Sequence, residues 1–145
     1  VSSNHGVAGM TVKGMGKHIA RLKAAQNVAE KITRALYIAG QRIEIDAETS
    51  ITDGAVSGAG HVPSLPGQPP NADTHHLDSN IETTIEANNP PTVHVTSRAG
   101  YSAALEFGTS KMAARPFMRP ATEKNRDKVA QQVATAVNIT IKSGG

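Results

Sequence analysis

Apolar residues recur at helical spacing over the first third of the chain. Ile19, Leu22, Ala25, Ile32, Leu36, Ala39, Ile43, Ala47 and Ile51 follow one another in steps of three, four and once seven. Such steps share one stripe of an amphipathic helix, predicted from Gly16 to about Thr52. Gly40 falls inside it, costs about 1 kcal/mol relative to Ala, and is expected to weaken or bend the helix. The period stops at residues 53–72, "DGAVSGAGHVPSLPGQPPNA", a stretch dense in Gly and Pro. That is a long loop for a compact domain, expected to be a mobile connector or a segment that orders on a partner. Beyond it the period becomes two. Ile81 and Ile85 alternate with Glu82, Thr84 and Glu86; after Asn88-Asn89-Pro90-Pro91, Val93 and Val95 alternate with Thr92, His94 and Thr96. These runs, 79–88 and 92–98, predict an antiparallel hairpin with one apolar face. Two strands alone are marginal, so further strand is expected from elsewhere in the chain or from a neighbour. Tyr101 to Phe107 reads as a helical turn or a short strand, ended by Gly108-Thr109. A second helix is predicted from Pro120, with Glu123 and Asp127 near its start and Val129, Val133, Ala136 and Val137 along its stripe.

The expected fold class is α+β: a long N-terminal helix packed on a small antiparallel sheet, with a C-terminal helix. Residues 1–14 are expected to form a flexible arm and 141–145 a tail. Residues 15–140 are expected to form a single domain, with 53–72 as a mobile loop.

A length of 145 residues suits one domain. Aromatic residues make up 3% of the chain, so the core must come from Val, Ile, Leu, Ala and Met. Such a core is lean, and subunit association would supplement it. The chain has no cysteine, which excludes disulfides, thiolate catalysis and Cys-ligated zinc. No apolar run approaches the roughly 20 residues of a membrane helix, so no membrane partner is expected. The start, "VSSNHGVAGM", has neither a basic nor a long apolar region and does not read as a secretion signal.

Charge is unevenly distributed. Residues 1–43 carry a net +6, residues 44–97 a net −8 with no Lys or Arg, and residues 98–145 a net +5. Asymmetry on this scale suggests one face meeting an opposite face, within the fold or between subunits. Acids Glu44, Asp46 and Glu48 near the end of the first helix oppose its dipole. Either the helix ends near Arg42, or a basic group compensates nearby.

Catalytic spacings are missing. The sequence contains no G-x-S-x-G, H-E-x-x-H, phosphate loop or dinucleotide fingerprint, and no enzymatic role is expected. His75-His76 is a paired imidazole, but adjacent side chains diverge and a metal needs three or four ligands. Two exposed loop histidines are the expectation, with no metal and no cofactor. The basic first helix could track phosphates, although no aromatic residue is interleaved with its bases for stacking.

The most distinctive stretch is "YSAALEFGTSKMAARPFMRPATEKNRDKV", from Tyr101. It holds both Phe residues of the chain. Arg115 and Arg119 each precede a proline, which biases both to extended backbone and stiffens the segment. Phe107 and Phe117 are expected to anchor it, leaving Glu106, Arg115 and Arg119 for a neighbour. This stretch resembles the C-terminal signature of the tail-component family of long-tailed bacteriophages, the tail completion, tail terminator or head–tail joining proteins of the neck. That signature is matched by Tyr101, Glu106, Phe107, Gly108, Thr109, Ala114, Arg115, Pro116, Phe117, Arg119, Pro120 and Ala121. Upstream, Asp73, Thr74, Leu77 and Ile81 match a second family pattern, with His75 where Gly is usual and Asn80 where Ser is usual.

The resemblance implies a homo-oligomeric ring, a hexamer, that completes the head-proximal end of the tail. It implies contact with the tail-tube protein and with a head-closure or connector protein, a bore for transient passage of DNA, and a place in the virion after assembly in the host cytoplasm. Tyr101, Glu106, Phe107, Gly108, Thr109, Arg115, Pro116, Phe117 and Arg119 would form the subunit or partner interface, and Glu82 and Glu86 would line the bore. Two alternatives stand beside it: a head-closure (stopper) or adaptor ring on the capsid side, and a small nucleic-acid-binding protein using the basic first helix.

Overall fold

The computed structural model describes residues 13–143. Most of the predicted N-terminal arm lies outside them. In chain order come α1 (Met15–Thr52), β1 (Ile81–Asn88), β2 (Pro91–Ser97), α2 (Ser102–Phe107) and α3 (Met118–Ser143), with two 3-10 turns at Gly58–Gly60 and Asp78–Asn80. This is the predicted α+β arrangement.

Helix α1 is continuous over 38 residues, about 57 Å at the α-helical rise. It does not stop at Arg42. The compensating base is Lys124 of α3, whose Nζ lies 2.8 Å from Asp46. Asn125 also donates to Asp46, and Gln132 donates to the Ala35 carbonyl, so α3 runs antiparallel to α1. The hairpin lies across the same helix. Ile81 stands opposite Ser97 and Ile85 opposite Val93, with an irregularity at Glu86 before Ala87 meets Thr92. Among the described residues no third strand joins the sheet; α1, packed against both strands, supplies the missing cover.

Gly40 has a different role from the one expected. A Cβ there would approach Thr83 Cγ2 to 2.7 Å and the Val93 and Val95 side chains to 3.3 Å. The absent side chain therefore lets the hairpin sit against the helix backbone. Beyond it, Ala47 and Ile51 join Ala72, Leu77, Ile81, Ala99, Phe117 and Ala121 in one buried cluster. Buried polar side chains are tied in: Thr83 donates to Glu44 at 2.6 Å, and Asn125 donates to both Asp46 and the Ala121 carbonyl.

Three further differences follow from packing. Ile19 and Leu22 of the predicted stripe are exposed, as is Met15 before them, because α3, with 26 residues, reaches only about 39 Å along a longer partner. Helix α3 begins at Met118 rather than Pro120 and continues to Ser143, so Ile141 is helical where a tail was expected. Pro120 is tolerated because the first four amides of a helix have no internal acceptor. The segment 53–72 is pinned at several points. Ala72 N donates to the Ile51 carbonyl, Gly67 N to the Ala114 carbonyl, and the Asn71 side chain to the Val62 carbonyl.

Candidate contact loop

The segment from Tyr101 to Ala121 folds around one carboxylate. Glu106, on the last turn of α2, receives the amides of Phe117 at 2.9 Å, Met118 at 3.0 Å and Arg119 at 2.9 Å. These are amides at the start of α3, where the helix leaves donors unpaired and its dipole favours negative charge. Bonds from amides to a carboxylate are stronger than neutral ones. Glu106 is thus an internal strut that caps α3 from another element.

The chain between strut and helix is equally constrained. Gly108 has φ 75° and ψ 176°, a region open essentially to glycine alone. A Cβ there would lie 2.8 Å from Ala114 N and 2.9 Å from Met112 O. Thr109 pairs its amide with the Met112 carbonyl and accepts the amides of Lys111 and Met112 on its hydroxyl. Arg115 N donates to the Leu105 carbonyl at 2.6 Å, which returns the strand-like stretch onto α2. Pro116 then leads into Phe117, which is only 1% exposed and fills the core.

The two Phe residues therefore part company. Phe117 is the internal anchor; Phe107 is 71% exposed. Beside Phe107 lie Val95, Ala103 and Met118, so an aromatic ring stands free next to an apolar shelf at the edge of β2. Arg119 is exposed, while its amide is bound to Glu106. Tyr101 is half exposed, its ring centroid 6.0 Å from that of His76. Arg115 turns inward instead. Its Nε is buried without a partner, and the residue lines a cavity of about 260 Å³ together with Tyr101, Leu105, Asp78 and Ile51. Sequence reading missed this cavity because its walls come from segments far apart in the chain.

His75 stands where the resembled family has Gly, and its φ is 57°. It is the left-handed non-glycine residue among those described. Its ring bonds to Asp78 at 3.1 Å and to Ser57 at 3.2 Å, which offsets the backbone cost. His75 and His76 are exposed, and no cluster of metal-ligating residues forms among the described residues.

Glu82 and Glu86 project from the hairpin face turned away from α1. Glu82 pairs with Arg98, so that face is less negative than its acids alone suggest, and Glu86 shares a hydrogen bond with His94. Farther along α1, hydrogen bonds from Lys124 and Asn125 hold Asp46 below the usual carboxylate range. Glu48 moves the other way, raised by burial and then by the nearby charges of Glu44 and Asp78. Among the described residues no helix is long and apolar enough to cross a membrane. Compared with models of protein families, with curated proteins and with solved structures, the chain has no match in any of the three.

Proposed function

We propose that this protein is a structural, non-enzymatic subunit of the neck of a long-tailed bacteriophage. It forms a homo-oligomeric ring, a hexamer, that completes the head-proximal end of the tail, touches the tail-tube protein and a head-closure or connector protein, and leaves a bore for DNA. The observation that carries this reading is the Glu106 strut. It joins the two parts of the resembled signature, the Glu-Phe-Gly-Thr turn and the Arg-Pro-Phe-Met-Arg-Pro run, in one physical device. Glycine at position 108 and the hydroxyl at Thr109 are required by that device, and its product is a rigid loop that displays Phe107 and Arg119. The left-handed backbone at His75 adds support, since glycine is the residue such a position prefers. Glu82 and Glu86 remain the candidates for the bore surface, where negative charge repels passing phosphate.

Deleting the gene from the virus that carries it tests the reading. The expected outcome is separate heads and tails, joined again by the wild-type chain in trans and not by Phe107→Asp. Infectious particles at normal yield without the protein would sink it. A second reading has its own observation: Lys17, Arg21 and Lys23 are exposed on the uncovered half of α1. A nucleic-acid-binding protein using them would show a steep fall of duplex affinity with salt.

A further inference from the structure

Between α1 and α3 runs an open groove of about 550 Å³. Its floor is apolar, with Ala35 and Ile38 from α1 and Ala136 and Ile139 from α3. Ile38 is 42% exposed and Ile139 59%. Its rim is cationic: Lys31, Arg34 and Arg42 on one side, Lys128 on the other. Among the described residues none of these four makes an ion pair. Gln132 adds a buried acceptor, its Oε1 without a partner while its Nε2 is bound to Ala35. The groove thus asks for an occupant with apolar side chains, negative charge and a free hydrogen-bond donor.

The loop 53–72 has these properties. Val56, Val62 and Leu65 are exposed at 56%, 66% and 65%. Asp53 opens it and Asp73 follows it, both exposed, and no Lys or Arg occurs between residues 43 and 97. Its irregular backbone keeps amide donors that no helix or ladder uses. It cannot reach its own groove, because Gly67 is bonded to Ala114 and Ala72 to Ile51, while the groove rim ends about 16 Å back along α1, at Arg42.

We propose that loop 53–72 of one copy docks into the α1–α3 groove of a second copy. Val62 and Leu65 cover Ile38 and Ile139, and the flanking aspartates face the cationic rim. Groove and loop are different surfaces, so the contact is heterologous, and repetition gives a closed ring or an open chain of copies. This deepens the ring reading and rests on it only for closure.

Sedimentation equilibrium of the full chain tests the contact, with circular dichroism to verify folding. The groove variant Arg34→Glu/Arg42→Glu and the loop variant Val62→Asp/Leu65→Asp alter exposed side chains. Each is expected to weaken self-association at least about tenfold. Mixed together they should form one-to-one dimers and nothing larger, because one retains the loop and the other the groove. Since the chain has no cysteine, Ile38→Cys mixed with Leu65→Cys should cross-link between copies. A wild-type chain that stays monomeric at about 1 mM overturns the proposal. So does a groove or loop variant that associates like wild type. Loss of duplex DNA binding in the groove variant, with self-association unchanged, assigns the groove to nucleic acid and overturns it too. A chain that associates as described but is missing from virions defeats the neck reading alone. A virion protein whose association ignores both variants defeats this contact alone.

Discussion

Between Thr33 and Ile51, α1 buries Thr33, Ala35, Ala39, Gly40, Ala47 and Ile51 against the hairpin and α3. Between Met15 and Leu22 the same helix leaves Met15, Ile19 and Leu22 open to solvent, among Lys17, Arg21 and Lys23. Both halves follow the helical period, yet one is covered and the other is not. The difference teaches that periodicity marks a face and not its partner. Within the domain, close approach of hairpin and helices selects small residues, Gly40 above all. Beyond the reach of α3, the large side chains of Met15, Ile19 and Leu22 find no cover among the described residues.

The comparison is sharpest where the buried half is emptied. Ile51→Ala should cost about 2–5 kcal/mol in a chemical denaturation curve, since its side chain is fully enclosed. A cost under about 1 kcal/mol would mean that the core collapses around the gap. Filling space should hurt as well. Gly40→Val should destabilise by about 1–3 kcal/mol, because Thr83 and the two valines of β2 have to move away.

Smaller effects separate the acids at the end of α1. Asp46 has a lowered pKa in the fold, so its contribution is present above the unfolded value and lost as pH falls through the folded one. Asp46→Asn should therefore lower the melting temperature at neutral pH and change little at about pH 2. Glu48 is raised above the ordinary value of 4.5. Its ionisation works against the fold as pH rises through that raised value, so Glu48→Gln should stabilise at neutral pH. The gain should vanish at about pH 3, where both states hold the proton. In the uncovered half, Ile19→Ser/Leu22→Ser should leave monomer stability within about 0.5 kcal/mol of wild type. A loss of 2 kcal/mol or more would show that this half has a cover within the chain.

Much of the fold was legible in the sequence. The stripe from Ile19 to Ile51 and the alternation of Ile81, Ile85, Val93 and Val95 specify a helix and a hairpin through period alone. Long-range geometry was not legible. Nothing local distinguishes Gly40 as a contact point from Gly40 as a weak point, because the side chains that need the space lie more than 40 residues away. Glu106 and its amides are likewise separated in sequence, so a carboxylate that caps a distant helix reads as a free surface charge. The Phe residues look alike on paper; only the inward turn of the chain at Pro116 makes one core and leaves the other outside. The two histidines read correctly as exposed, whereas the left-handed backbone at His75 had a trace only in the family pattern, as a glycine replaced.

The most direct test of the neck assignment is the position of the protein in the virus that carries its gene. A tag on the C-terminal residues, detected by gold-labelled antibody on intact particles, reads that position under the electron microscope. The account predicts label at the junction of head and tail, and none along the tail shaft or over the capsid. Particles that are infectious and complete but carry no label, in a preparation whose disrupted proteins also lack the tagged chain, would contradict it.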